Sequence, residues 1–182
     1  MLFRSLAYVQ DKGTLVVGIT EFEPMDYQNT DGEWIGFDAD LAKEFAESLD
    51  VTVEFQLIDW DNKVMELDGK TIDVVWNGMT LTEDVLAAME CSQPYLINQQ
   101  VVVVPADVAE DYQTEESLAD LNFAVEIGSA GCEVAQANGY SYTEVADQAT
   151  ALLEVASGTA DAAIIDSLMA GAMIGEGKIG RA

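Results

Sequence analysis

Apolar and polar positions alternate along the chain in a pattern that predicts strands and helices in turn. Residues 14–20 (TLVVGIT) form a short run rich in β-branched side chains, which is typical of a strand buried on both faces. After residue 36, apolar side chains recur every fourth position, and this spacing predicts a helix with Asp38 as its N-cap. The apolar stripe of this helix is Leu41, Phe45 and Leu49, with Ala42 and Ala46 beside them.

The alternation continues to residue 105. Residues 51–57 alternate between apolar and polar side chains, which indicates a half-buried strand. A short helix at 60–67 ends at the sequence DGK, and two further strands are predicted at 71–76 and 99–105. Residues 106–117 are polar and acidic, and they are the best candidate for a linker between domains.

Beyond the linker the strand–helix alternation begins again, and no internal repeat is apparent. Strands are predicted at 122–127, 141–145 and 161–165, and helices at 130–138, 149–158 and 167–174, with Gly139 and Gly158 as C-caps. Such alternation favours parallel sheets covered by helices, with ligands at the carboxyl ends of the strands. Two runs joined by a linker predict two α/β lobes with a cleft between them.

Composition and charge narrow the possible functions. Hydrophobic residues make up 49% of the 182 residues, and no apolar run approaches the roughly 18 residues of a membrane span. The net charge of −27 excludes nucleic acid and anionic lipid as partners. A solvated acidic surface is the favoured interpretation, with a cationic partner as the alternative. The chain has no histidine and two cysteines, so no metal site, cofactor or Cys–His nucleophile is expected.

The two ends of the chain differ from the rest. Residues 1–5 (MLFRS) and 179–182 (IGRA) can both be encoded by common sequencing-adapter ends, so we interpret them as non-native ends of a metagenomic fragment. Coincidence is the alternative, since short strings recur. Both arginines of the chain, Arg4 and Arg181, lie in these ends.

The ordered motifs of the chain resemble the extracytoplasmic solute-binding proteins of amino-acid ABC transporters. The matching strings, in the order of that family, are GTLVVGIT, DGEWIGFDADLAKEFAESL, DGKTIDVVWNGMTLT, CSQPY, QQVVVVP, AVEIGSAG and GTADAAIID. The resemblance implies a type II periplasmic-binding-protein fold of two α/β lobes with parallel-rich sheets, here incomplete at the C-terminus. The lobes would be residues 6–104 and 105–178. It further implies an ABC transporter permease as partner, and a location in the periplasm or on the cell surface as a lipoprotein.

The resemblance assigns two ligand contacts to the second lobe. Ser129 and Ala130 lie in the glycine-rich GSAG sequence, where backbone N–H groups at a helix N-terminus would bind the ligand carboxylate. Asp166 follows a strand directly and would bind the ligand ammonium. The alternatives are structural: a plain turn capped by Ser129, and a helix N-cap at Asp166.

In the first lobe, the resemblance implies that Phe22 stacks on the ligand, although ordinary core packing is nearly as good an interpretation. Asn77, Gly78 and Thr80 follow the strand at 71–76. Gly78 would offer a carbonyl to the ammonium, and Thr80 a hydroxyl and an N–H to the carboxylate.

Val85 is the departure from the family pattern, which has an arginine at this position to bind the ligand carboxylate. Three explanations remain: the GSAG helix N-terminus binds the anion alone, residues outside this chain contribute, or the ligand is not a typical amino acid. Glu126, with Glu21 and Glu23, would make the cleft negative and favour a cationic ligand; a generally acidic surface is the stronger alternative.

The function predicted is therefore binding of an amino acid or a similar small solute without catalysis. The alternatives are a sensor domain of a signalling receptor and a dehydratase-like enzyme on the same fold. Cys91 stands where the family often has an aromatic residue, so a buried thiol is expected there.

Overall fold

The computed structural model describes residues 6–175, and the chain divides into two compact units, one ending at Glu90 and the other beginning at Cys91. The ends interpreted as non-native, 1–5 and 179–182, lie outside the described residues. No helix among the described residues is both long and apolar enough to cross a bilayer.

The first unit is built on a three-stranded parallel sheet of order β4-β1-β5. Apolar residues of β1 pack with the small residues of α2 to form its core. A separate antiparallel pair, β2–β3, precedes α2. The elements are α1 (Leu6–Lys12), β1 (Thr14–Ile19), β2 (Tyr27–Gln28), β3 (Trp34–Ile35), α2 (Phe37–Ser48), β4 (Thr52–Leu57), a 3-10 turn (Trp60–Asn62), α3 (Lys63–Gly69), β5 (Val74–Val75) and α4 (Glu83–Ala88).

The start of α2 corrects the sequence prediction. Its N-cap is Gly36, not Asp38, and Asp38 lies fully buried in the first helical turn. Gly36 has φ +117°, and a Cβ there would lie 2.3 Å from the carbonyl oxygen of Met25. Because this close backbone approach admits only glycine, the chain enters the helix two residues earlier than the polar pattern indicates.

The buried face of α2 also differs from the predicted stripe. The alanines of the helix, Ala39, Ala42 and Ala46, are buried, whereas Leu41 is 36% and Phe45 is 45% exposed. Small side chains let the helix lie close to the sheet, so it is the alanine face that packs on β1 and β4. The larger apolar residues therefore border this face and do not fill the core.

The second unit is built on a four-stranded sheet of order β6-β9-β7-β8, in which β7 runs parallel to β8 and β9, while β6 is antiparallel to β9. The predicted parallel-rich α/β architecture is confirmed. On β7, Ala124 packs with α6 on one face, and Phe123 and Val125 pack with α5 on the other. The elements are β6 (Gln100–Val103), two 3-10 turns (Ala109–Asp111 and Glu115–Leu118), β7 (Asn122–Glu126), α5 (Ala130–Asn138), β8 (Ser141–Val145), α6 (Gln148–Ser157), β9 (Ala162–Asp166) and α7 (Ser167–Met173).

The division between the units falls earlier in the chain than the predicted linker. Residues 99–104, assigned from the sequence to the first lobe, contain β6, which pairs with β9 of the second sheet. The predicted linker at 106–117 forms 3-10 turns, and Tyr112 packs against the core of the second unit. A local pattern identifies a strand, but it does not reveal which sheet the strand joins.

A short correspondence links the two units although no repeat is evident in the sequence. After α3 and after α6, a residue in the left-handed region (Lys70 and Gly158) ends the helix and the sequence Thr-x-Asp follows. Asp73 accepts a hydrogen bond of 2.9 Å from the N–H of Val16, and Asp161 accepts one of 2.9 Å from the N–H of Asn122. Each aspartate thereby ties its strand to the first parallel strand of its own unit.

Candidate functional site

Asp166 is the centre of a polar cluster at one edge of the second sheet. It ends β9, and the side chains of Asn98 and Gln100, beside the start of the antiparallel β6, donate hydrogen bonds to its Oδ1, the latter at 2.8 Å. Gln148 Nε2 donates to Oδ2. Asp166 is the N-cap residue of α7 by position, yet its side chain makes no capping hydrogen bond. Three amide donors therefore hold the carboxylate in place.

Glu126 joins this cluster through Gln148. It ends β7, which lies next to β9 in the sheet, and its Oε2 accepts a hydrogen bond of 3.3 Å from the same Nε2 atom that contacts Asp166. All three side chains are buried, with exposed fractions of 6% to 8%. The carboxyl ends of two parallel strands thus bring two carboxyl groups to one amide, as the strand order requires.

Acidic side chains without basic partners determine the electrostatics of this edge of the sheet. Burial raises the pKa of Asp166, and the hydrogen bonds from Gln148, Asn98 and Gln100 partly offset that rise because they stabilise the charged form. Between Cys91 and Gly175 the sequence has 13 Asp and Glu residues and neither Lys nor Arg. The described part of the second unit therefore has no basic side chain of its own to neutralise this pair of carboxyl groups.

Ser129 and Ala130 lie at the start of α5, directly after β7. Ser129 is the N-cap, and its Oγ accepts a hydrogen bond of 3.2 Å from the N–H of Cys132. Gly128 precedes it with φ +67°. A Cβ on Gly131 would lie 2.6 Å from the carbonyl oxygen of Ile164, so the first turn of the helix lies directly against β9. The N-terminal end of this helix, where the helix dipole is positive, thus lies next to the strand that carries Asp166.

In the first unit, Asn77 connects the ends of β1 and β5. Its Oδ1 accepts a hydrogen bond of 2.7 Å from the N–H of Thr20, and its Nδ2 donates one of 2.6 Å to the hydroxyl of Thr20. Asn77 is 6% exposed. Both ends of its amide are used on Thr20, so the side chain holds the carboxyl ends of the two strands together.

Phe22 and Gly78 pack against each other beside this edge. Phe22 is 4% exposed, and its backbone forms a bridge with Asp26. Gly78 has φ +59°, and a Cβ there would lie 2.8 Å from Cε1 of Phe22 and 3.4 Å from Oδ2 of Asp38. Gly78 is therefore required both by its backbone conformation and by the closeness of the aromatic ring.

Thr80 and Val85 differ in exposure. Thr80 is exposed, whereas Val85 is 7% exposed and belongs to α4. Thr82 is the N-cap of this helix, and its hydroxyl accepts a hydrogen bond of 3.3 Å from the N–H of Val85. A valine side chain offers no hydrogen bond to a carboxylate, and its burial shows that it packs against other side chains of the fold.

The cysteines and acidic groups offer no alternative centre. Cys91 is half-buried and Cys132 is buried, both lie in the second unit, and neither is in a disulfide among the described residues. Among the described residues no group of three Cys, Asp or Glu side chains could hold a metal ion.

Three amide side chains of the site were missed by the sequence analysis: Asn98, Gln100 and Gln148. Gln148 is the first residue of a helix that follows a parallel strand, a position that faces the ligand edge of α/β sheets. Asn98 and Gln100 are the first and last residues of the NQQ run that precedes four valines. Amide side chains carry no charge, so neither position stands out in the charge pattern of the sequence.

Comparison with known proteins identifies the family. The model of the bacterial extracellular solute-binding proteins, family 3, matches residues 15–167. The L-cystine-binding protein TcyJ of Escherichia coli (strain K12) is 28% identical over 165 residues, which are 89% of this chain and 62% of TcyJ. The chain thus spans less than two thirds of the length of this relative.

Solved structures agree with the sequence match. The ancestral amino acid-binding protein AncCDT-1, a precursor of cyclohexadienyl dehydratase, superposes with a TM-score of 0.87 and 32% identity, covering 92% of this chain and 76% of its own. The arginine-bound form of truncated ArgBP from T. maritima gives a TM-score of 0.85 and 35% identity, covering 91% and 79%. These folds are type II periplasmic binding proteins. On this evidence the chain belongs to the bacterial extracellular solute-binding proteins, family 3.

Proposed function

We propose that the chain is the solute-binding part of an ABC importer and binds an amino acid or a similar small solute that carries an ammonium group. The observation that supports this most directly is the Asp166 carboxylate, which three amide donors hold at the carboxyl edge of a parallel sheet. Its Oδ1 accepts two hydrogen bonds and Oδ2 one, while a carboxylate accepts about four. Oδ2 can therefore accept a further hydrogen bond from the ammonium of a ligand.

The start of α5 is our proposed site for the ligand carboxylate. Ser129 and Ala130 begin this helix, and its first turn lies against β9 close to Asp166. A ligand with an anionic and a cationic group on one carbon needs these two sites near each other. Val85 lacks the charge to replace the helix N-terminus, so the anion site belongs to the second unit.

Phe22, Gly78 and Thr80 are our proposed contacts in the first unit, with Phe22 held in place by Gly78. Asn77 acts indirectly by joining the strand ends from which these residues extend. The role of Phe22 is to contact the apolar part of the ligand, since an aromatic ring provides a large rigid surface.

A basic ligand fits the charge of the second unit best. Its described residues include 13 acidic and no basic side chains, and Glu126 lies beside Asp166. The T. maritima relative was solved with arginine, and TcyJ is named for L-cystine. We therefore expect a solute with more than one positive charge to bind more tightly than a neutral amino acid.

A role in an ABC importer implies a protein partner and a cellular location. We propose that a membrane permease receives the loaded protein, and that the protein works outside the cytoplasm, in the periplasm or anchored to the cell surface. Nucleic acid is not a partner, because a net charge of −27 repels it. Catalysis is not part of the proposal, because TcyJ and ArgBP are named as binding proteins.

Thermal-shift screening followed by calorimetry tests the proposal. The chain is screened against the common L-amino acids, putrescine and small cyclic acids, and Asp166→Asn and Asp107→Asn are measured beside it. We expect a basic amino acid to raise the Tm, Asp166→Asn to abolish the rise, and the exposed Asp107→Asn to preserve it. An equal Tm rise in Asp166→Asn, or consumption of a cyclic acid, would overturn the proposal.

A further inference from the structure

Gln148 contacts Asp166 at two points, which sets it apart from the other amides of the site. Its Oε1 accepts a hydrogen bond of 2.9 Å from the backbone N–H of Asp166, and its Nε2 donates to the Oδ2 atom of the same residue. Only one orientation of the amide satisfies both contacts, because the reverse orientation would place an oxygen against a carboxylate. The two contacts fix the carboxylate relative to its own backbone.

The position of Gln148 is itself fixed by the start of α6. Asp147 is the N-cap, and its side chain accepts a hydrogen bond of 2.6 Å from the N–H of Thr150. Gln148 follows as the first residue of the helix and is 7% exposed. Its side chain therefore begins from a rigid backbone and reaches across the end of β7 to β9.

Gln148 Nε2 also links Asp166 to Glu126, whose Oε2 lies 3.3 Å away. Two buried carboxyl oxygens thus share one neutral N–H₂ group. A buried carboxylate needs hydrogen-bond donors, and the shared amide supplies one to each side chain.

We propose that Gln148 is the positioning residue for the ligand's cationic group: it holds the Asp166 carboxylate in the orientation that binds an ammonium and keeps Glu126 beside it as a second acceptor. This inference rests on the proposed function for the identity of the ligand. The positioning of the Asp166 carboxylate by Gln148 does not depend on that function. The positioning has a consequence in the protein without ligand, because removing the amide removes donors that keep Asp166 ionised.

The experiment measures Asp166 first without ligand. The carboxyl ¹³C resonance of Asp166 is titrated by NMR in the full chain and in Gln148→Met, Gln148→Asn and Gln136→Met. Gln136 is the matched control, since it is an exposed helical glutamine that contacts Tyr142 and Cys132 and not Asp166. We expect Gln148→Met to raise the titration midpoint, Gln148→Asn to raise it less, and Gln136→Met to leave it unchanged.

The second measurement is the affinity for L-arginine as a function of pH, by calorimetry. Loss of a hydrogen bond to a charged group predicts roughly 10- to 100-fold weaker binding in Gln148→Met. The loss should grow as the pH falls, because Asp166 then takes up a proton at a higher pH than in the parent protein. A merely structural role would weaken binding equally at every pH.

Each outcome separates the two proposals. An unchanged Asp166 midpoint in Gln148→Met overturns the positioning role, whatever the affinity. A raised midpoint without binding of any amine supports the positioning and removes the proposed function. If the variants fail to fold, the parent protein provides the test. The side-chain N–H₂ resonances of Gln148 are expected to titrate with the same midpoint as the Asp166 carboxyl group. A different midpoint would overturn the inference.

Discussion

The carboxyl group of Asp26 lies near enough to that of Asp38 for their charges to interact, and both residues are fully buried in the first unit. Within the described part of the chain, neither carboxylate oxygen of Asp26 makes a hydrogen bond of good geometry. Burial and the charge of Asp38 raise the pKa of Asp26 to about 8, although the nearby N–H of Ala39 partly opposes the rise. Asp26 is therefore mostly protonated at neutral pH.

Stability should consequently fall as the pH rises. The folded protein binds the Asp26 proton more tightly than the unfolded chain, so the free energy of unfolding decreases from about pH 4 to about pH 8. Asp26→Asn removes the contribution of Asp26 to this dependence and should stabilise the protein at pH 7 by on the order of 2–4 kcal/mol. Urea unfolding across this pH range is the measurement. Asp31→Asn, in an exposed turn, is the control for net charge, and equal pH slopes in parent and Asp26→Asn would contradict the prediction.

Gly78→Ala tests the packing of Phe22. A methyl group there would lie 2.8 Å from the ring and would also occupy a left-handed conformation. Gly32→Ala is the matched control, because Gly32 has φ +78° and no atom within 4 Å of its Cβ position. We expect Gly32→Ala to cost about 1 kcal/mol of stability and Gly78→Ala about 2–4 kcal/mol. Thermal unfolding measures both, and equal losses would show that the ring moves aside easily.

The ends of the helices offer a stabilising substitution. α5 and α6 are followed by Gly139 and Gly158 in the left-handed region, whereas Asp50 occupies that region after α2 with φ +57°. The N–H of the next residue, Val51, donates to the carbonyl of Ala46 as in the glycine cases. Asp50→Gly should raise the free energy of unfolding by roughly 0.5–1 kcal/mol, and Gly158→Ala should lower it by about 1 kcal/mol. Chemical denaturation measures the change in the free energy of unfolding for both variants.

Salt should stabilise this protein strongly. The 34 acidic residues repel one another, and added salt screens that repulsion. We expect the Tm to rise by roughly 5–10 °C between about 20 mM and about 1 M KCl. Glycine betaine at equal osmolality is the control, since it carries no net charge and does not screen. A rise in KCl no larger than in betaine would contradict electrostatic repulsion as the cause.

The two thiols should react at different rates. Burial raises the pKa of Cys132, and the charge of Glu144 adds to the rise, whereas Cys91 is half-buried. Ellman's reagent should therefore modify Cys91 at least roughly tenfold faster than Cys132. Cys91→Ser should remove the fast phase and Cys132→Ser the slow one. A single phase in the parent protein would show that burial does not limit access.

The sequence predicted best where local pattern and local structure coincide. The second unit shows this in its strands and helices, in the Ser129 N-cap, and in the C-caps Gly139 and Gly158. Asp38 was misassigned because the start of its helix depends on Gly36 approaching Met25, a tertiary contact that no local pattern shows. The predicted family was confirmed, because the prediction rested on the order of several motifs along the chain and not on any single position.

The site was only partly predictable for a related reason. Asp166 could be placed at a strand end from the sequence, because it directly follows the apolar strand predicted at 161–165, and Glu126 was expected near the cleft from within the strand predicted at 122–127. Gln148 lies 18 residues before Asp166 and 22 after Glu126, and only the order of the strands brings the three together. Interactions that depend on strand order cannot be predicted from the local pattern of residues along the chain.

The long stretch without lysine or arginine, from residue 71 to residue 177, has a practical consequence for proteolysis. Trypsin cleaves after lysine and arginine, and the sequence has neither between Lys70 and Lys178. Lys70 is exposed just after α3, so a tryptic cut there would release β5, α4 and the whole described part of the second unit as one uninterrupted peptide. Tryptic resistance of this peptide would therefore say nothing about its folding, and a glutamate-directed protease is the one that reports on it.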